Sequence, residues 1–371
     1  MSFALTTAVR VRVVVALCLL LAFHAPRASA QTAAAGLPAE KIKQIEALIS
    51  AEMARQKIPG LSVAVVTDAR VRWSNGYGLA DVENNVQAKS ATVYRLASVS
   101  KPITAVAVMQ LVERGKIDLD AHVQKYCPAF PEKQWPVTTR QVLAHLSGIR
   151  HYKSDEEFNS TRFYGSVTEG LSMFKDDPLL HEPGAKMTYT TFGYTLLGCV
   201  VEGASGAKFA DYVRENVFAP AGMERTRVDS VADIIPNRAQ GYRRNQGGEL
   251  KNSPLADNSY KVPGGGFVST AEALAKFAVA VETYKLLKRE TTELMFTSQK
   301  TSDGKETRYG LGWGIGAHAG SRTIGHSGAQ QRVSTALNML PDRGLAVVVL
   351  ANIEDVRLED LTLKISDALL K

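Results

Sequence analysis

A chain of 371 residues, 45% hydrophobic and 22% charged, can bury a sizeable core and lacks the composition of a disordered protein. Its 44 Lys and Arg against 37 Asp and Glu give a formal net charge of +7, too modest and too dispersed for a nucleic-acid partner. Three cysteines exclude a disulfide scaffold, although Cys127 and Cys199 could form one bridge in an oxidising compartment.

In chain order, Arg10 and Arg12 precede an apolar run over 13–23, Pro26 breaks it, and Ala28-Ser29-Ala30 offers small residues for cleavage. This reads as a secretory signal peptide over 1–30. The expectation is a secreted protein, periplasmic or extracellular in a bacterium, that reaches a membrane only through an uncleaved signal, if at all. Cys18 follows Leu17 and lacks the small neighbour that lipidation needs. Residues 31–371 are expected to form a single domain. Ile42, Ile45, Leu48, Ile49 and Met53 recur at helical spacing over 38–57. Stretches 61–66 and 70–77 read as paired strands around the turn Thr67-Asp68-Ala69.

Residues 98–304 read as an α-rich lobe, with helices over 103–112, 138–145, 192–205, 209–218, 271–284 and 291–296. Strands return over 309–317, 322–325, 333–340 and 345–351, with Pro341-Asp342-Arg343-Gly344 as a turn, and a helix over 354–370 closes the chain. Strands at both ends around a helical middle predict an α/β architecture. One antiparallel sheet is built from about 39–97 and 305–371, with an all-α lobe inserted and a cleft between them. No internal repeat or low-complexity tract interrupts this pattern.

Chemistry concentrates first at Ser98-Val99-Ser100-Lys101. The apolar run over 103–112 ends in Arg114 and Gly115, which suit a helix C-terminus, and Pro102 is tolerated only in a first turn. Residues three apart share a helix face, so the Ser98 hydroxyl lies beside the Lys101 amine, where a weak nucleophile can pass on its proton. The same spacing occurs at Ser172/Lys175, Ser205/Lys208 and Ser302/Lys305, but only Ser98 opens a long buried helix. Two further signals follow: Tyr189-Thr190-Thr191 at the start of the next long helix, and His326-Ser327-Gly328 at a C-terminal strand. A nucleophile, a proton partner and donors for an oxyanion are the parts of serine acyl transfer. His145, His151 and His181 are assigned to structure, since no His-Glu-x-x-His or Cys-x-x-Cys spacing is present; no metal and no cofactor are expected. Neither a Gly-x-Ser-x-Gly elbow nor a phosphate loop occurs.

With Arg95-Leu96-Ala97-Ser98-Val99-Ser100-Lys101, Tyr189-x-Thr191-Phe192-Gly193-Tyr194 and His326-Ser327-Gly328 in this order, residues 39–353 resemble the serine β-lactamase-related family. That family includes class C β-lactamases, D-Ala-D-Ala carboxypeptidases and esterases; the motifs look most like its mitochondrial β-lactamase-like branch. The resemblance implies Ser98 as the acylated nucleophile and Lys101 and Tyr189 as the groups that share its proton. Which of the two is the base stays open. It further implies His326 as a catalytic residue of the strand motif, and Thr191, Ser327, Gly328 and Ala329 as substrate-binding residues. The backbone N–H groups of Ser98 and Ala329 would form the oxyanion hole.

Thr191 and His326 stand where class C β-lactamases usually carry Asn and Lys. An Asn amide donates and accepts, whereas a Thr hydroxyl has a single donor. The expected substrate is therefore a peptide-like amide, in the manner of a D-amino-acid peptidase or carboxypeptidase. A class C-type β-lactamase, an esterase, and a non-catalytic binder of cell-wall peptides are the alternatives. The partners expected are thus a small peptide, ester or β-lactam, with no nucleic acid and no metal.

Overall fold

Residues 36–371 are described by a computed structural model; the expected signal over 1–30 and Cys18 lie outside the described residues. The stretches 61–66 and 345–351 are almost wholly apolar, and a strand of that composition is stable only with both faces covered. They meet at the centre of the molecule.

From the N-terminal side come β1 (Gly60–Thr67), β2 (Arg70–Asp81) and β3 (Val86–Gln87). The middle of the chain supplies β4 (Tyr94–Arg95), β5 (Arg227–Val228), a hairpin of β6 (Tyr242–Arg244) and β7 (Leu250–Asn252), and β8 (Phe267–Ser269). The C-terminal side adds β9 (Gly314–His318), β10 (Ser321–Gln330), β11 (Val333–Leu340) and β12 (Leu345–Ala351). The large sheet runs β3-β2-β1-β12-β11-β10-β9, antiparallel throughout, so the two chain ends join at β1 and β12 with Leu61 opposite Ala351.

Side chains alternate across a strand. On one face Leu61, Val63 and Val65 of β1 and Val347 and Val349 of β12 pack with Ile45 and Ile49 of the helix Ala39–Gln56 and Leu361 and Ile365 of the helix Glu359–Leu370. Ala64 and Val66, with Ala346, Val348 and Leu350, face the other way into the larger core. There the helix Ser100–Glu113 is apolar all round and buried from Ser100 to Leu111, as a helix without a solvent face must be.

Several sequence expectations need correction. The middle of the chain is not all-α: β4, β8 and β5 form a small sheet, and β6 pairs with β7. The closing helix begins at Glu359 rather than 354, because residues 352–358 form a loop. The expected strand over 309–317 starts only at Gly314, since Gly312 takes a positive φ of 90° that ends extended backbone. Conversely β10 continues well beyond 325 to Gln330, which puts His326, Ser327 and Gly328 inside a strand. The helix expected over 209–218 is α-helical only for Phe209–Val213 and passes into a π turn at Arg214–Phe218.

Candidate active site

Ser98 sits in a tight 3-10 turn, Ala97–Val99, immediately before the buried helix Ser100–Glu113. Ala97 adopts a left-handed φ of 48°, a strained conformation for a residue with a Cβ. Neighbouring strands hold the turn in place. The Leu96 N–H donates to Phe267 O of β8 at 2.8 Å, and Thr335 Oγ1 of β11 donates to Leu96 O at 2.9 Å. Ala97 and Val99 are buried, while the Ser98 hydroxyl opens onto a cleft of about 670 Å³.

One helical turn on, Lys101 is fully buried, with Nζ 3.0 Å from Ser98 Oγ, 3.2 Å from Thr191 Oγ1 and 2.8 Å from Gly264 O. Three acceptors match the three N–H groups of an ammonium. Yet burial, reinforced by the charge of Lys261, pushes the Lys101 pKa well below the usual lysine range. A neutral amine at this position has two donors for Gly264 O and Thr191 Oγ1 and a lone pair for the Ser98 proton.

Tyr189 completes the group from the segment before the helix Thr191–Ser205. Thr190 caps that helix, its hydroxyl accepting from the Gly193 N–H at 3.2 Å and donating to Arg150 O at 2.6 Å. The Tyr189 hydroxyl is hydrogen-bonded with Ser98, and its ring lies 4.8 Å from Lys101 Nζ. Burial pushes the phenol pKa up. Tyr189 therefore stays protonated and is equipped to donate.

The remaining expected residues gather at the same cleft, which is lined by Thr191, His326, Ser327 and Ala329. Gly328 lies in the strand between them. Its missing side chain allows close approach: a Cβ there would come within 2.4 Å of Thr335 Oγ1 and 2.7 Å of Leu96 O. Thr191, expected to bind substrate, also takes a hydrogen bond from Lys101. His326 has both ring nitrogens engaged: Nδ1 donates to Ser327 O at 2.6 Å and Nε2 accepts from the Tyr309 hydroxyl at 3.0 Å. Burial and the Lys101 charge lower its pKa to about 3. It is a neutral wall group beside the reacting atoms, with its ring centroid 6.2 Å from that of Tyr189.

Two histidines assigned to structure prove to back the site. His145 Nδ1 accepts from the Thr190 N–H at 3.1 Å, and its ring centroid lies 4.3 Å from that of Tyr189. His151 Nδ1 accepts from the Thr191 N–H at 3.3 Å, and the residue lines the cleft. Tyr152 and Lys261 line it too and escaped sequence reasoning. For Lys261 a signal existed: a lone charge in the segment Val262-Pro263-Gly264-Gly265-Gly266-Phe267 enters, which is otherwise apolar. Among the described residues no group of acidic, His or Cys side chains could hold a metal ion.

Residues 45–369 match the model of the Beta-lactamase family. The chain is similar to the serine beta-lactamase-like protein LACTB, mitochondrial, of Homo sapiens, with 34% identity over 83% of this chain and 76% of that protein. Among solved structures, the octameric penicillin-binding protein homologue from Pyrococcus abyssi superposes with a TM-score of 0.77 and 27% identity, covering 89% of this chain and 77% of that one. The D-amino acid amidase from Ochrobactrum anthropi SV3 shares the fold at a TM-score of 0.77 and 22% identity, over 89% of this chain and 99% of the other.

Proposed function

Because this chain belongs to the Beta-lactamase family and is a serine hydrolase, we propose that it cleaves peptide-like amides, in the manner of a D-amino-acid peptidase, through an acyl-enzyme at Ser98. The observation that carries this reading is the 3.0 Å separation of Ser98 Oγ and Lys101 Nζ, with burial holding the amine's pKa well below the usual lysine range. Lys101 takes the hydroxyl proton as Ser98 Oγ attacks the substrate carbonyl. The oxyanion is received by the backbone N–H groups of Ser98 and Ala329. The Tyr189 phenol delivers a proton to the departing amine, the C–N bond breaks, and Lys101 restores the phenol's proton. Water then attacks the ester, giving one proton to Lys101, and Ser98 recovers its own as the acid leaves.

A neutral His326 with both nitrogens occupied, and Thr191, stand where class C β-lactamases usually carry Lys and Asn, and this departure supports a reading other than efficient β-lactam hydrolysis. The disulfide between Cys127 and Cys199, together with the signal-like residues 1–30, supports secretion into an oxidising compartment.

A fluorophosphonate probe followed by peptide mapping is expected to label Ser98, and Ser98→Ala is expected to abolish turnover of D-Ala-D-Ala peptides and short esters. Efficient turnover of a chromogenic cephalosporin with none of the peptides would replace the peptidase reading by a β-lactamase one. Protein that is folded yet never labelled at Ser98 would overturn both.

A further inference from the structure

Arg95 opens the motif that ends in Lys101, and the acyl-transfer chemistry makes no use of it. It stands on β4, only 5% exposed, with Nε 2.8 Å from Asp229 Oδ2 and Nη2 donating to Ala256 O at 2.8 Å. Its third nitrogen, Nη1, is buried and has no hydrogen-bond partner among the described residues. Two more arginines share the place. Arg238 donates to Asp229 Oδ1 and, at 2.9 Å, to Ser230 O, and Arg332 donates to the side-chain oxygen of Gln240. Together with Tyr94 and Ala239, the three arginines line a cavity of about 20 Å³.

Charge around this cavity does not balance. Arg95 and Arg238 divide one carboxylate between them, that of Asp229, whose Oδ2 also accepts from the Asn258 amide. Arg332 forms no ion pair among the described residues. The neighbouring acids are engaged elsewhere: Glu354 accepts from Ser253 Oγ and from the backbone N–H of Arg332, Asp257 accepts from the Ser259 N–H, and neither is ion-paired with a guanidinium. Burial first, and then the charges of Arg95 and Arg332, lower the Arg238 pKa to about 10. Guanidinium groups donate and never accept, so these N–H groups are satisfied by an acceptor, and their charge by a negative one. A cavity of this volume admits one species about the size of a water molecule and is too small for a carboxylate, phosphate or sulfate.

We propose that Arg95, Arg238 and Arg332 form a halide site, filled by chloride, that fastens β4 to the turn between β10 and β11. Arg95 Nη1 donates to the ion, and the guanidinium groups of Arg238 and Arg332 complete its countercharge. Arg238 is tied to β4 without it, since the Val93 N–H donates to Asn237 O and the Ala239 N–H to Val93 O, both at 2.9 Å. What the ion adds is the link to Arg332, which follows β10 at a left-handed φ of 80°. Both fastened segments lead to the reacting atoms. β4 runs through Leu96 into the Ala97–Val99 turn that carries Ser98, and Ala329 near the end of β10 offers the second oxyanion donor of the reaction above. The ion therefore holds the two N–H donors at their mutual distance, from outside the substrate cleft.

A crystal soaked in sodium bromide is expected to show an anomalous peak among the three guanidinium groups; a water molecule there and no bromide overturns the site. In solution, sodium chloride is compared with sodium gluconate at the same ionic strength, gluconate being too large for the cavity. Chloride at about ten times its Kd is expected to multiply the folding equilibrium constant about 10-fold, read from the denaturant midpoint. Turnover of a neutral ester is expected to rise with chloride and to saturate at the same half-maximal concentration. Arg332→Met keeps the length of the side chain and is expected to abolish both responses. Each response compares two salts on one protein, so any general loss of stability or activity in the variant cancels. Equal midpoints in the two salts, or a chloride response that survives Arg332→Met, overturns the site, and a protein that chloride stabilises without changing its turnover overturns the fastening. The bromide peak and the midpoints do not depend on chemistry at Ser98, so they stand or fall separately from the acyl-transfer reading.

Discussion

An ammonium taken out of water loses its hydration, and Lys101 and Lys261 lose it to different degrees of compensation. Lys101 finds three oxygens and Lys261 finds ring faces only. In the proposed reaction Lys101 must be neutral to accept a proton. Its pKa is depressed by burial first and by Lys261 second, so the active form persists as pH falls below the usual lysine value of 10.5 and is lost only below the depressed pKa. His326 and His151, with pKa values lowered to about 3 and about 4, stay neutral across the working range. With a neutral ester, kcat/KM is expected to reach its plateau well below the usual lysine value of 10.5. Lys101→Ala is expected to lower it about 10²- to 10⁴-fold. A rate that climbs through pH 10, as an unperturbed lysine would dictate, speaks against Lys101 as the base. Tyr189→Phe keeps the ring and removes the phenol; it is expected to slow amides more than esters, since an amine leaving group needs the proton and a nitrophenolate does not.

Placement of Ser98 depends on how closely β10 approaches the Ala97–Val99 turn. The turn is clamped by Leu96 to β8 and β11, and Gly328 lets the strand lie against it. Gly328→Ala would set a Cβ within 2.9 Å of the Ala97 Cβ and nearer still to Thr335 Oγ1 and Leu96 O, so the turn or the strand must shift. Overpacking of this kind costs about 1–3 kcal/mol, and a displacement of about 1 Å at the reacting atoms costs about 10²-fold in rate. The expected outcome is a folded protein by circular dichroism with kcat reduced about 100-fold; a variant of unchanged kcat would show that the approach does not set the geometry. Element boundaries were legible where a local signal existed. Thr138 caps Thr139–Leu143 with Gln141 in a capping box, and Gly206 ends Thr191–Ser205 with a φ of 75°. The length of β10 was not legible, because Gly325, Ser327 and Gly328 have weak strand preference and are extended only by pairing with β11.

Across the whole molecule, the bridge between Cys127 and Cys199 ties together positions separated by 72 residues, and Cys199 lies on the same helix that Thr191 begins. In the chain-entropy account a loop of this length contributes about 4 kcal/mol. Replacing both cysteines by Ser is expected to lower the denaturant midpoint accordingly, with the catalytic turn still assembled in the folded fraction; an unchanged midpoint would show that the bridge adds nothing. Periodicity and punctuation in the sequence alone determined the sheet of both chain ends and the buried helix that Ser98 and Lys101 open, while the resemblance to the serine β-lactamase-related family singled out Tyr189 and His326. Those features follow from local pattern: apolar runs must be buried, and a residue three positions along a helix shares its face. Only the tertiary structure decided which cysteines pair, that Thr191 and Gly264 hold Lys101, that His145 and His151 back the Tyr189 segment, and that Lys261 and Gln330 stand unpartnered beside the nucleophile. Each of these depends on segments at least 40 residues apart meeting in one core, and a hydrogen bond or its absence exists only once they have met.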